Sequence, residues 1–272
     1  MIPHIHRRTF GTGSRPVLAI HCSLAHSGAW RGVGAALSDI ATLHAYDLPN
    51  HGKSGDWDGQ GVMHDTATDM ALAVLDEIGP VDVIGHSFGA TVALRLAIEH
   101  PMRICSTILF EPVYFAPLMA DDPGFAGGYR HDTAAYDQAL EAGDTAAAAK
   151  AFNSTWGDTA AWDTLPEASR TYMAERIHFV RDSAPFLMND SADLLAPGRF
   201  AQATGPVLLM RGETSPWAED LNGAIARRLP NVQEVSLPDL GHMAPITHPD
   251  RVATHVRSFW AAQGQGLRSA RL

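Results

Sequence analysis

The sequence predicts an α/β fold around a mostly parallel sheet, and three observations predict it. Six short apolar runs bounded by turn residues recur along the chain, and stretches with apolar residues at helical spacing lie between them. The third run leads through a tight Gly-His-Ser-Phe-Gly turn straight into a helix. At 272 residues with 46% hydrophobic content, the chain is long enough for one large core, or for one core carrying an inserted subdomain.

Taken in order, the strand candidates are residues 16–21, 43–47, 81–85, 104–110, 206–211 and 232–237. Helices are expected over residues 30–40, 63–78, 88–100, 217–229 and 248–262, with Pro101 and Pro230 stopping two of them. His4 and His6 fall two apart in an expected edge strand, a spacing that by itself does not make a metal site without carboxylate or cysteine support. The alternation stops between residues 113 and 204, where the composition turns Ala-rich and no strand candidate appears. Helices are expected there over residues 132–142, ended by Gly143, and 145–156, ended by Gly157. Two more follow from Pro166 to Asp182 and over residues 185–195. Residues 121–128 read as a mobile turn, and residues 264–272 as a frayed tail.

A formal net charge of −10 gives no basic surface for nucleic acid or anionic lipid, so neither is an expected partner. The first eight residues carry charge with no apolar run after them, unlike a signal peptide, and no stretch is apolar enough to span a bilayer. Cys22 and Cys105 both fall in apolar strand-like contexts and are expected to be buried free thiols. The expectation is a cytoplasmic protein, monomeric or dimeric, that takes a small-molecule partner and needs neither metal nor cofactor.

Within Gly85-His86-Ser87-Phe88-Gly89, the two glycines remove Cβ atoms that would collide with the adjoining strand and helix, and the turn exposes the Ser87 hydroxyl. The helix that follows aims free N–H groups and its positive dipole end at that position. Serine is a poor nucleophile at neutral pH and needs a base, which histidine supplies. Of the fourteen histidines, His242 stands out, because Gly241-His242-Met243-Ala244-Pro245 follows the last strand and precedes the last helix. That position is a loop at the carboxyl edge of the sheet, the edge that also carries Ser87.

The chain resembles the α/β-hydrolase superfamily over nearly its whole length. The likeness rests on His21-Cys22-Ser23-Leu24, Asp47-Leu48-Pro49-Asn50-His51-Gly52-Lys53-Ser54, the turn at Ser87, and Gly241-His242, all in the family's order. Phe110-Glu111-Pro112-Val113 and Arg211-Gly212-Glu213-Thr214-Ser215-Pro216 narrow it to capped hydrolases of poorly defined substrate. The resemblance implies an eight-stranded sheet, with a core of residues 1–112 and 205–272 and a helical cap of residues 113–204 inserted after the strand ending near Glu111. It also implies a Ser-His-acid triad in which Ser87 and His242 are the first two members.

The third member departs from the pattern. Where much of the superfamily carries an Asp, this chain has Ser215. Glu111, Glu213 and Asp220 remain as carboxylates, with Asp220 already inside the next helix. Glu111 leads, because some capped relatives use this location and a carboxylate there is poorly solvated and needs a donor such as His242 Nδ1–H. Glu213 is the alternative acid.

The oxyanion hole is expected from the backbone amides of Phe88 and Ser23, with Leu24 as the alternative to Ser23 because Cys22 replaces the usual glycine. His21 reads as a structural hydrogen-bonder, Asp47 and His51 as residues that hold turn geometry, and Cys22 lacks surroundings that activate a thiol. Trp30, Phe115, Trp156, Phe179, Phe186, Met188 and Trp217 are core residues or pocket lining. The expected activity is hydrolysis of an ester, lactone or related acyl compound through an acyl-enzyme. Carbon–carbon bond hydrolysis and cofactor-free perhydrolysis are the enzymatic alternatives, and a ligand receptor or scaffold with a slow triad is the alternative of another class. Serine rather than Asp at the turn disfavours dehalogenase and epoxide hydrolase chemistry.

Overall fold

A computed structural model describes residues 2–157 and 161–269, with side chains through Gln263. One sheet holds β1 (Arg7–Phe10), β2 (Arg15–Ile20), β3 (Ala41–Tyr46), β4 (Val81–His86), β5 (Ile104–Phe110), β6 (Val207–Gly212) and β7 (Val232–Leu237). Their spatial order is β1-β3-β2-β4-β5-β6-β7, with β1 antiparallel to β3 and every other neighbour parallel. The helices are α1 (Arg31–Ala36), α2 (Met63–Ile78), α3 (Phe88–Glu99), α4 (Ala116–Asp121), α5 (Phe125–Glu141) and α6 (Thr145–Trp156). They continue with α7 (Glu167–Arg176), α8 (His178–Asp182), α9 (Ala184–Leu187), α10 (Ala218–Ala226), α11 (Ala244–Thr247) and α12 (Pro249–Ser269).

Side chains alternate across each strand, so the sheet buries two faces at once. Val17, Ala19, Ile84, Ile108, Leu208 and Met210 pack with Val33, Leu37, Val252 and Val256 of α1 and α12 and the turn after α1. Leu18, Ile20, Val83, Leu109 and Leu209 pack with Met70, Val74, Val92, Leu96 and Leu221 of α2, α3 and α10. Because β3 lies on one side of β2 and β4 on the other, the winding reverses between them, and the carboxyl ends of β2 and β4 open a crevice. Ile20 pairs with Gly85 and His86 with Phe110, so the segments that leave β2, β4 and β5 emerge side by side.

The described residues form seven strands where eight are expected. His4 and His6 lie outside the edge strand, which begins at Arg7. Their backbone is taken by the loop after β3: Gly55 N–H donates to the His4 carbonyl, Asp47 N–H to the His6 carbonyl, and His6 N–H to Ser54 Oγ. Cys22 is buried but Cys105 is exposed, on the face opposite its buried neighbours Ile104 and Ser106, before β5 begins to pair with β6 at Thr107. The expected tail is helical through Ser269, as part of α12, and residues 270–272 lie outside the described residues.

All described structure between β5 and β6 is helix, turn or irregular chain. Helix α6 has the expected bounds, with the Asp144 carboxylate accepting Ala147 N–H at its start. The expected turn over residues 121–128 is instead partly helical, since α5 begins at Phe125 and runs through Gly127 and Gly128. The helix expected over residues 185–195 ends at Leu187 as α9, because the Asp190 carboxylate captures the Leu194 and Leu195 amides and turns the chain. The same carboxylate accepts the Tyr114 hydroxyl, and Phe115 N–H donates to the Leu187 carbonyl over 2.9 Å. These bonds stitch the two ends of the inserted helices into a neck.

Candidate active site

Ser87 sits between β4 and α3 with φ 56° and ψ −119°, a conformation that side-chain-bearing residues rarely adopt. Two close approaches hold the turn. A Cβ on Gly85 would lie 2.5 Å from Ala90 Cα, and one on Gly89 would lie 2.5 Å from the His21 carbonyl oxygen. Ser87 N–H donates to the Phe110 carbonyl at 2.9 Å, and the Ser87 side chain makes no capping bond to α3. Ser87 lines a cavity of about 570 Å³.

Glu111 also takes a positive φ, 48°, which turns its side chain back under the β6 edge. It is 3% exposed and fully engaged: Oε1 accepts Gly212 N–H and the Ser215 hydroxyl, each at 2.6 Å, and Oε2 lies 2.6 Å from His242 Nδ1. A carboxylate so placed fixes the proton on Nδ1 and leaves Nε2 a lone pair. Glu213 is exposed and accepts the Ser236 hydroxyl, and Asp220 lies exposed in the first turn of α10. The structure therefore brings His242 to Glu111 and leaves the other two carboxylates outside.

His242 is held from two further sides. Its backbone carbonyl accepts His86 Nε2–H at 2.8 Å, with the two rings 4.9 Å apart. Burial and the neighbouring His242 keep His86 well below the ordinary histidine range, so this ring is a neutral donor. Trp156, from the inserted helices, packs its ring 4.7 Å from that of His242 and lines the cavity above Ser87. Neither support was visible in the spacing of the sequence, although His86 adjoins Ser87 and Trp156 was among the candidate lining residues.

On the β2 side, His21 is buried and its two ring nitrogens are both used. Leu48 N–H donates to Nε2 at 2.9 Å, so Nδ1 carries the proton and donates to the Cys22 carbonyl at 2.7 Å. Burial pushes His21 down to about 4, which makes it a neutral brace. His51 repeats the pattern. Its Nε2 accepts Leu24 N–H at 3.0 Å and its Nδ1–H donates to the Pro49 carbonyl, while burial and the nearby His21 push it down to about 3. Leu24 N–H is thus occupied, whereas Ser23 lines the cavity together with Ser87. Phe88 opens α3 directly after Ser87. Burial pushes the Cys22 thiol up to about 12, which makes it inert. Asp47 holds the adjoining loop by accepting Ser27 N–H and Lys53 N–H.

The cavity walls come mainly from the inserted helices. Phe115, Met119, Tyr129, Trp156, Leu187 and Met188 provide an apolar lining, and Arg130, Asp132, Asp137 and Arg181 add charge. Trp30, Phe179 and Phe186 are core residues, and Trp217 backs Trp156 from a second layer with 5.6 Å between ring centres. Among the described residues, no group of three or more His, Cys, Asp or Glu side chains is disposed to hold a metal ion, and no helix is long and apolar enough to cross a membrane.

Comparison with known proteins gives three kinds of likeness. A family model described as an alpha/beta hydrolase family matches residues 17–255. A pimeloyl-[acyl-carrier protein] methyl ester esterase of Nitrosomonas europaea is 38% identical over 106 residues, which span 39% of this chain and only 40% of that relative. Lipase LipV of Mycobacterium tuberculosis is 27% identical over 267 residues, 95% of this chain and 98% of the relative. Among solved structures, the enol-lactonase from Burkholderia xenovorans LB400 superimposes with a TM-score of 0.71 at 19% identity, covering 95% of this chain and 97% of its own. That last likeness is one of fold.

Proposed function

Because this chain belongs to the alpha/beta hydrolase family, we propose that it is a serine hydrolase that cleaves esters of apolar acyl groups through an acyl-enzyme on Ser87. The observation that carries the reading is the 2.6 Å contact between His242 Nδ1 and the buried Glu111 carboxylate, on a histidine braced over the crevice that holds Ser87. A buried carboxylate on Nδ1 orients the ring and stabilises the imidazolium that forms when Nε2 takes a proton.

In this mechanism His242 Nε2 removes the Ser87 hydroxyl proton as Oγ attacks the ester carbonyl carbon. The carbonyl oxygen becomes an oxyanion, held by the amides of Phe88 and Ser23. Collapse of the tetrahedral adduct breaks the bond to the alkoxy oxygen, and His242 returns its proton to the departing alcohol. Water then attacks the acyl-enzyme by the same route in reverse and releases the carboxylic acid. The apolar side chains around the roughly 570 Å³ cavity favour an acyl group of several carbons or an aryl group over a small polar one. The names of the esterase and lipase relatives are consistent with ester substrates.

A fluorophosphonate probe and p-nitrophenyl esters of graded chain length test the reading. Rapid labelling that disappears in Ser87→Ala, with ester turnover lost in parallel, is the expected result. Absence of labelling and turnover in folded wild-type protein would sink the hydrolase and favour a ligand receptor built on the same fold.

A further inference from the structure

Helix α7, one of the inserted helices, carries a tyrosine whose hydroxyl joins two loops of the sheet edge. Tyr172 Oη accepts Gly52 N–H at 2.9 Å and donates to the Ala25 carbonyl at 2.9 Å. Gly52 belongs to the loop after β3 that also carries His51, and Ala25 to the loop after β2 that carries Ser23. The ring is held in place by the Arg176 guanidinium, 3.8 Å from its centre, and by a T-shaped contact with His26.

The consequence concerns one peptide unit. Ser23 N–H shares its plane with the Cys22 carbonyl, so whatever holds that plane sets the direction of the N–H. Upstream, the Cys22 carbonyl is held by His21 Nδ1–H. Downstream, Leu24 takes a left-handed φ of 60° and is anchored through its own N–H to His51, and Ala25, whose N–H donates back to the Cys22 carbonyl at 3.4 Å, is anchored through its carbonyl by Tyr172. Of these three anchors, His21 and His51 come from the loops of the sheet edge and only Tyr172 comes from the inserted helices that wall the cavity. We propose that Tyr172 is a positioning residue for the oxyanion peptide, which ties the Ser23 N–H to the docked state of the inserted helices. The proposal rests on the serine-hydrolase reading above.

Tyr172→Phe removes both hydrogen bonds while keeping the ring beside Arg176. Turnover of p-nitrophenyl butyrate is expected to fall about tenfold, less than the hundredfold or more for deleting an oxyanion donor, because the donor is loosened rather than removed. KM is expected to stay within twofold of wild type. Inhibition by benzeneboronic acid, whose tetrahedral adduct places an oxygen in the oxyanion site, should weaken by the factor lost in kcat, and amide exchange should quicken in residues 21–25. Unchanged kcat and boronate affinity in an ester-hydrolysing protein would overturn the role of Tyr172 alone. A wild type that neither hydrolyses esters nor reacts with fluorophosphonate overturns the hydrolase reading, and this proposal with it. Should Tyr172→Phe not fold, exchange of the Gly52 amide in wild type decides: protection supports the bond to Tyr172, and fast exchange overturns it.

Discussion

Ser215 donates its hydroxyl to Glu111 Oε1 across 2.6 Å. It stands where the family resemblance leads one to expect an aspartate, and there it donates to a carboxylate that has come from another strand. With Gly212 N–H on the same oxygen and His242 on the other, each carboxylate oxygen of Glu111 is engaged. The carboxylate is buried without being stranded, which removes the several kcal/mol that an unpaired buried charge would cost in order of magnitude.

Glu111→Gln should therefore lower ester turnover by roughly a hundredfold or more, since the amide presents Nδ1 with the wrong partner and unsettles the tautomer. Glu213→Gln, at an exposed side chain bonded to Ser236, should leave turnover within about twofold. Steady-state rates on one chromogenic ester compare the two, and the reverse ranking would move the acid to Glu213.

Exchanging the two positions tests the same geometry from the other side. Ser215→Asp alone sets a second carboxylate against Glu111 and should lower turnover, because like charges at that distance raise one another's proton affinity. Placed in the Glu111→Gln background, the new carboxylate lacks that rival, and about a tenfold recovery of turnover is expected. A double variant no better than Glu111→Gln would show that position 215 does not reach the histidine in this chain.

Stability should depend on pH through the buried braces. Folded His21 accepts a proton only near 4 and His51 only near 3, against 6.5 for an unperturbed imidazole. Between those values the unfolded chain binds more protons, so stability is complete above about pH 6.5 and is lost as the pH falls toward 4. For His21 alone the loss amounts to about 3 kcal/mol by its lower limit. Urea unfolding of wild type and His21→Asn between pH 7 and 4.5 checks this: the variant should be less stable at pH 7 and show a shallower decline. Parallel curves would remove His21 from the account.

Trp156 couples the cavity wall to the histidine. Trp156→Ala should raise KM for a hexanoyl ester by about tenfold, the equivalent of roughly 1.4 kcal/mol of lost apolar contact, and should affect an acetyl ester less. A uniform effect across chain lengths would place the acyl group elsewhere in the cavity.

Much of this was legible in the sequence because local rules and global fold agree. Strands buried on both faces, such as β4, read as apolar runs, and β5, β7, α2 and α6 fell on their expected bounds. The turn at Ser87 was legible because only glycine fits on either side of it. What stayed hidden depends on contacts between distant segments. Edge strand β1, Arg7-Arg8-Thr9-Phe10, carries no alternating pattern, and its start is set by loop residues 47–55. The glycines at 127 and 128 signalled a turn, yet the inserted helices hold them inside α5. Likewise Ser215 looked like a missing acid, since nothing nearby in the chain announces a hydrogen bond to a residue 104 positions away.

The neck formed by Tyr114, Asp190, Phe115 and Leu187 gives the inserted segment the character of a removable cartridge. Residues 115–187 supply most of the cavity wall, while Ser87, Glu111 and His242 lie outside them, so a foreign segment grafted at the neck would change the cavity and keep these three side chains, provided that it restores the Trp156 contact on His242. Several contacts cross that boundary: Trp156 packs against His242, Asp121 pairs with Arg227 and Arg228, and Tyr172 bridges Gly52 and Ala25. A graft without a hydroxyl in the place of Tyr172 would leave the Gly52 amide and the Ala25 carbonyl without their common partner, so the loops after β2 and β3 keep this bridge only where the graft supplies such a group.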